Sequence, residues 1–562
     1  MPYRSRWIID IPNVTLPTYI FTSPNAPLPA TPLLIDANRP DTHYLSLSTY
    51  RLWSQRLAAG LRAAGLQPGD RVLLFSGNTI FFPVVVLGLS MAGGVFTGAN
   101  PTYVARELAY QLSDSEARFL IASEESLDVA LEAASIAGVG KDRVFVFDDG
   151  TQTLEGRGED DIKRGVRHWS VLLADEETGR RFEWEDDGSE EVVNRTIALN
   201  YSSGTTGLPK GVMISHRNYV ANTMQSIQFS EQNPDYEAKL ARSRLLCFLP
   251  MYHAMAQASF VVWKPRCRVP CYIMPKFDFI QMLQNLERFR VTELAVAPPI
   301  AVALVKHPAT RKYNLSSIES IGSGAAPLGR EICAELERMW PEGRINVKQG
   351  WGMTELTCMG TNWDPTQYSG SYSVGELAAN CEAKIAVDDE GKIEASTDER
   401  GEIWFRGPNV MKGYWKKPEA TRETISPDGW LKTGDIAFVD ENGKFYIVDR
   451  KKELIKVKGL QVAPAELEAL LLEHPGVADA AVIGVNSERE GEVPRAYVVR
   501  SEGSLASAEE IIAFLDSKVS RPKRLAGGVK FLEAIPKNPS GKIQRQKLRE
   551  MVKAESGTKA RL

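Results

Sequence analysis

Short apolar runs, each closed by a small or turn-forming residue and separated by helix-length segments, recur from Leu45 onward and constrain this chain to an α/β architecture. RVLLFS, RFLIAS, RVFVFD, TIALNYSS, RLLCFLP and ELAVAPP have the length of buried strands, whereas TYRLWSQRLAAGLRAAGL has helical spacing. Strands apolar along their whole length suit a parallel sheet covered on both faces, with ligands bound outside the strand carboxyl ends. After about Gly401 the pattern turns to alternating strands with Gly/Asp turns, as in GEIWFRGPNVMKGYW and GKFYIVDRKKELIKVKG. AELEALLLEHPGVADAAVIGV then reads as helix, turn and strand, and the tail from Arg521 is basic. A single hydrophobic core stops growing at roughly 250 to 300 residues, and the chain has 562. We therefore expect a large N-terminal domain of packed α/β sheets, residues 1–449, and a smaller α+β C-terminal domain, residues 450–562.

Composition narrows the function. With 43% hydrophobic and 25% charged residues the chain is neither disordered nor fibrous. A net charge of -4 gives no general attraction to nucleic acid or an anionic membrane, so phosphate binding has to be local and a small-molecule substrate fits better. Six scattered cysteines, with only Cys267 and Cys271 close together, form no metal framework and read as reduced thiols. The apolar run Ile80 to Phe96 is shorter than the roughly 20 residues of a membrane span and reads as a buried helix. The opening MPYRSRWIIDIPN lacks the apolar core of a secretory signal. Asp148 to Glu191 is charged and Gly-rich and reads as a surface excursion. The final Ala560, Arg561 and Leu562 match the small-basic-leucine peroxisomal address, so a peroxisomal import receptor is an expected partner and the peroxisome an expected location.

Tyr201-Ser202-Ser203-Gly204-Thr205-Thr206-Gly207-Leu208-Pro209-Lys210-Gly211 leaves the strand-like TIALN as a loop of glycines, hydroxyls and one lysine. Glycines let backbone N–H groups turn inward on phosphate, hydroxyls donate, and Lys210 supplies charge. The spacing is not that of a Walker loop.

SSGTTGLPKG resembles the signature loop of the adenylate-forming superfamily, which holds acyl- and aryl-CoA ligases, beetle luciferases and the adenylation domains of peptide synthetases. The similarity runs from about Leu45 to Arg549, with the remaining motifs in order. Gln349-Gly-Trp-Gly-Met-Thr-Glu355 resembles the family's QGYGMTE: the resemblance implies that Trp351, in place of tyrosine, stacks on adenine with Gly352 beside it. Thr354 then meets phosphate, and Glu355, with Thr206, holds Mg²⁺. Gly322-Ser-Gly324-Ala325 resembles the adenine-side loop. Asp435, in WLKTGD, is implied to accept the ribose hydroxyls and Arg450 to support ribose and phosphate. Lys452 aligns with the hinge about which a mobile C-terminal domain rotates. Lys456 and Gln461 resemble residues that meet the adenylate during thioester formation, and Lys458 and Gly459 residues along the coenzyme A tunnel.

Lys542, in PSGKI, resembles the catalytic lysine that bridges carboxylate and α-phosphate as two anions converge. His253 matches a pocket gate; a carboxylate nucleophile is already ionised near neutral pH and needs no base. The implied acyl pocket, Tyr252, His253, Met255, Pro298, Gly324, Trp351, Gly352 and Met359, is largely apolar and points to an aromatic or medium- to long-chain aliphatic acid. The expected activity is an ATP- and Mg²⁺-dependent acid:CoA ligase, most similar to 4-coumarate:CoA ligases and their fungal relatives. The alternative is an adenylating enzyme that loads a carrier protein. Against it, the sequence holds no carrier domain, and Phe248 to Ala256 lacks the aspartate that amino-acid activators use on the substrate ammonium.

Overall fold

The computed structural model describes residues 2–148, 162–202, 208–370, 372–458, 460–487, 491–539 and 541–559, the last four without their side chains. Ser203, Gly204, Thr205, Thr206, Gly207, Gly459, Ala560, Arg561 and Leu562 lie outside the described residues.

Among the described residues two large sheets form the bulk of the chain. One runs in the order Lys210–Ser215, Thr196–Ser202, Val95–Ala99, Arg71–Phe75, Ala117–Ser123, Val144–Phe147, Val166–His168, Ile162–Lys163. The other runs Val347–Gln349, Ser320–Ser323, Glu293–Val296, Leu245–Cys247, Cys271–Ile273, Pro32–Asp36, Tyr44–Ser46. Their central pairs are parallel, as wholly apolar strands require. The helix Phe82–Met91 is buried along its whole length, and the apolar run Ile80 to Phe96 joins this helix to the start of the strand Val95–Ala99. Among the described residues no helix is long and apolar enough to cross a membrane. All six cysteines are free thiols.

Of the segment from Asp148 to Glu191, residues 149–161 lie outside the described residues, and residues 166–172 depart from the expected surface excursion. Val166–His168 pairs in parallel with Val144–Phe147. Trp169 is fully buried between Phe81 and Phe147, its indole N–H donating to the Asp148 carbonyl at 3.1 Å. The charged flanks hide two short paired strands, Ile162–Lys163 and Val166–His168, and their aromatic anchor.

The alternating pattern after Gly401 becomes an antiparallel sheet of Tyr3–Arg4, Glu382–Ala386, Gly401–Arg406, Leu431–Val439 and Phe445–Arg450, whose inner residues join the core of the two large sheets. The chain then turns at Lys451–Glu453 and enters a separate core. There Leu460–Val462, Ile455–Val457, Gly491–Arg500 and Val477–Ser487 pair in that order, Val529–Phe531 pairs with Gly491–Arg500, and the helices Pro464–Leu472 and Ala508–Asp516 contribute to the core. Charge fastens this smaller unit to the last strand of the larger. The Asp449 carboxylate accepts from the Ala465 N–H at 2.9 Å. Within the smaller unit the Arg545 Nη2 donates to both Glu468 oxygens at 2.7 and 2.8 Å, and the same guanidinium charge acts on Asp449. Burial pushes the Asp449 and Glu468 carboxyls above their ordinary values, and Arg545 opposes the rise in both.

Leu467 is fully buried in the smaller core. Leu467→Ala is expected to lower that unit's stability by about 2–5 kcal/mol through lost transfer energy and a residual cavity. Urea unfolding followed by a fluorophore in the smaller unit should show an earlier midpoint, with that of the larger unit unchanged.

Candidate active site

The strands Thr196–Ser202, Glu293–Val296, Ser320–Ser323 and Val347–Gln349 end, respectively, at Ser202 and immediately before Ala297, Gly324 and the Trp351 segment; Ser202 meets Glu355, and Ala297 lines a cavity with Ala325. Glu355 sits on the 3₁₀ turn Thr354–Leu356, buried, with one carboxylate oxygen accepting from the Ser202 hydroxyl and the Tyr414 hydroxyl, each at 3.0 Å. Lys210 pairs opposite Ser202 and places its ammonium over the Tyr414 ring at 4.8 Å. Both ends of the signature loop are anchored to the body. The Tyr201 hydroxyl donates to Asp114 at 2.8 Å, Lys417 donates to the other Asp114 oxygen at 2.5 Å, and Tyr110 donates to the Pro209 carbonyl at 2.9 Å.

Asp435 stands in register with Arg450 on the neighbouring strand, the residue after it beginning a bulge. Its carboxylate is buried, one oxygen 2.6 Å from the Arg450 Nε and the other accepting from the Trp351 indole N–H at 2.8 Å. Trp351 therefore does more than offer a flat ring: it ties the GWGMTE segment to the aspartate, while its ring meets Phe405 edge-on. Gly352 has no substitute here, since a Cβ would lie 1.7 Å from the Cys358 carbonyl oxygen. Ala325, in the adenine-side loop, adopts a left-handed φ of 73°.

Lys542 comes from the smaller unit. It follows Gly541 in a hairpin closed by the Lys537–Ile543 bridge and by the Lys542 N–H donating to Asn538 Oδ1 at 2.8 Å. Burial lowers the Lys542 ammonium below its ordinary value and Arg450 adds to the shift, while Asp435 and Glu355 oppose it. Two cations, Lys542 and Arg450, and two carboxylates, Asp435 and Glu355, from four segments thus lie within electrostatic reach of one another.

His253 precedes the short helix Ala254–Ala256. A cavity of about 10 Å³, room for one water, is lined by Leu249, Pro250, His253, Met255, Ala256, Ala297 and Ala325. Of the eight expected acyl-pocket residues His253 and Met255 line it; Tyr252, Pro298, Gly324, Trp351, Gly352 and Met359 do not. Gly324 stands just behind, a Cβ there lying 3.6 Å from the Met255 methyl. Lys456, Lys458 and Gln461 are exposed on the hairpin Ile455–Val457 and Leu460–Val462, with Lys452 exposed in the preceding turn. Sequence reasoning missed Tyr414, Leu249, Pro250, Ala256 and Ala297: an aromatic within MKGYW and small or apolar residues at strand ends carry no signal that separates them from core.

Burial pulls the His253 imidazole down to about 4 and the Lys542 charge contributes, so the ring is neutral near pH 7. Burial likewise takes His216, which accepts the Leu16 N–H at 3.0 Å, to about 3. Both values lie below the ordinary 6.5, so between them and 6.5 the unfolded chain binds more protons and stability falls as pH falls. His253→Gln should flatten the acid-side decline of the urea midpoint between pH 6.5 and 4 without abolishing it, because His216 remains. An unchanged slope would contradict a buried neutral His253.

Residues 25–415 match the family model described as AMP-binding enzyme, and residues 466–542 that of the AMP-binding enzyme C-terminal domain. The chain is 39% identical to a 4-coumarate-CoA ligase of Narcissus pseudonarcissus over 93% of its length and 91% of the relative's. It is 37% identical to the phenylacetyl-CoA ligase EpaB of Aspergillus niger over 98% and 99%. The ATP-bound MatB structure from Rhodopseudomonas palustris superposes with a TM-score of 0.81 at 28% identity, covering 96% of this chain and 99% of that one. An anthranilate CoA ligase, AuaEII, in complex with anthranoyl-AMP shares the fold, with a TM-score of 0.80 at 22% identity over 98% and 99%.

Proposed function

Starting from the premise that the chain belongs to the AMP-binding enzyme family, we propose that it is an ATP- and Mg²⁺-dependent acid:CoA ligase that forms an acyl-adenylate and passes the acyl group to coenzyme A. One observation carries the reading: the smaller unit delivers Lys542 to within electrostatic reach of Asp435, Arg450, Glu355 and His253 of the larger. A carboxylate attacking the α-phosphorus brings two anions together, and a cation in this position lowers that barrier. Asp435 takes the ribose hydroxyls with lone pairs left over from Arg450 and Trp351. Lys210 and the hydroxyls of the signature loop, Thr206 among them, take the phosphates.

Glu355 suits Mg²⁺: a hard carboxylate held at one oxygen by Ser202 and Tyr414, leaving the other for the ion. Among the described residues no three His, Cys, Asp or Glu side chains converge as a cage, so the ion's other oxygens would come from nucleotide phosphate and water. Bound there, Mg²⁺ would neutralise phosphate charge.

The cavity wall supports the reading of the substrate class. Leu249, Met255, Ala256, Ala297 and Ala325 offer no polar partner, which favours an aromatic or aliphatic acid and accords with the relatives named for 4-coumarate and phenylacetate. At about 10 Å³ the cavity admits such an acid only when His253 or Met255 swings away. Lys456, Gln461, Lys458 and Gly459 serve the second half-reaction, after the smaller unit turns about Lys452 and brings its other face to the site.

Incubation with Mg·ATP, coenzyme A and a panel of aryl, cinnamic and fatty acids, read by mass spectrometry, should yield AMP and acyl-CoA with one acid class. Lys542→Ala should lower acyl-AMP formation by about 10²–10³-fold. Acyl-AMP without thioester would favour carrier loading instead. We also propose a peroxisomal location through Ala560-Arg561-Leu562. A fluorescent protein fused upstream of the full chain should co-localise with peroxisomes and become diffuse when those three residues are removed; diffuse signal from the intact chain would reject the address.

A further inference from the structure

We propose that Lys306 is a latch that holds the smaller unit in the arrangement presenting Lys542, making it a positioning residue for adenylation and not for thioester formation. The inference rests on the assignment of Lys542 to adenylation above.

The helix Pro298–Lys306 spans the distance between the active site and the interface of the two units. At its start, Ala297 lines the acyl cavity, and Ala297 and Pro299 form the floor on which the Lys542 hairpin rests. A Cβ on Gly541 would lie 3.2 Å from Pro299 and 3.3 Å from the Ala297 Cβ, and the Gly541 φ of 84° suits only glycine. At its end, the Lys306 ammonium donates to the Leu472 carbonyl at 2.8 Å and to the Val477 carbonyl at 2.5 Å. Leu472 is the last residue of the helix Pro464–Leu472 and Val477 the first of the strand Val477–Ser487, so the cation sits where a helix C-terminus concentrates partial negative charge.

The grip is transmitted to the catalytic lysine. Two residues beyond Val477, the Asp479 carboxylate accepts from Lys537 at 2.6 Å, and Lys537 closes the base of the Lys542 hairpin. Lys306 therefore holds the strand that holds the hairpin. Lys456, Lys458 and Gln461 stay exposed on the other hairpin of the same unit while Lys542 is docked. Whatever use is made of them in the cleft requires the unit to leave this position, and the two Lys306 hydrogen bonds break first.

Two measurements on the full chain test this, comparing the native sequence with Lys306→Met. The first separates the half-reactions: pyrophosphate release from acid and Mg·ATP without coenzyme A, against thioester formation from supplied acyl-AMP and coenzyme A. Lys306→Met should slow the first by about ten- to a hundredfold, the cost of charge-assisted hydrogen bonds lost from one arrangement. The second half-reaction should hold its rate or rise. Equal rates in both, or a parallel fall in both with a lowered Tm, would overturn the latch. The second measurement reads the distance between fluorophores installed as unnatural amino acids at the exposed Ile136 and Leu505, without nucleotide. Lys306→Met should broaden that distribution, and an unchanged one would overturn the latch even if the ligase reading stands. If the native chain forms no acyl-AMP with any acid while the distances still broaden, the ligase reading fails and the mechanical coupling survives.

Discussion

The Asp435 carboxylate is buried, and a buried charge persists only when paired and hydrogen-bonded. Its pairing organises much else. Arg450 meets it across the antiparallel ladder, and Trp351 reaches it from the small sheet of Trp351–Gly352, Met359–Asn362 and Glu376–Leu377. Lys542 approaches from the smaller unit. Removing Arg450 would leave the charge uncompensated and removing the Trp351 indole would leave an oxygen unsatisfied, so the contact ties together the register of two sheets. The tryptophan that stands where the family pattern has tyrosine gains a role through its indole N–H, a donor that a tyrosine, with a phenolic O–H at the far end of its ring, does not have.

The smaller unit is docked by contacts of two kinds. At Asp449, two residues before the turn at Lys451–Glu453, the last strand of the larger unit meets the Ala465 N–H and the Arg545 charge, where a rotation moves atoms least. Lys306 and the floor under Gly541 lie farther from that turn in sequence and belong to the docked arrangement itself. Contacts near a pivot can persist through a motion, whereas those away from it have to be remade.

Much of the site was legible because phosphate chemistry demands particular residues in short contiguous order. Gly, Ser, Thr and Lys around a turn, a carboxylate after GWGMT, and an aspartate after Thr-Gly each retain their meaning without a partner in view. Tyr414, Ala297 and Lys306 were not legible. Each acts through a neighbour more than 50 residues away in sequence, Tyr414 on Glu355 and Lys306 on Leu472, and nothing local marks them. Val166–His168 was hidden for a related reason: a strand of three residues among charges shows too little period to separate it from a loop.

By itself the sequence determined the α/β class, the strand-loop arrangement around Ser202 and Lys210, and the family, since hydrophobic run length and short motifs are local properties of the chain. It also marked Lys542 through the family resemblance, without showing which groups of the larger unit surround it. Only the tertiary structure decided that Asp435 is shared between Arg450 and Trp351, that a cavity of about 10 Å³ is walled by Leu249, Met255 and Ala297, and that Lys306 grips the smaller unit while Lys542 is in place. These are distances between segments far apart in the chain, and they are set by how sheets and domains pack, which no local pattern encodes.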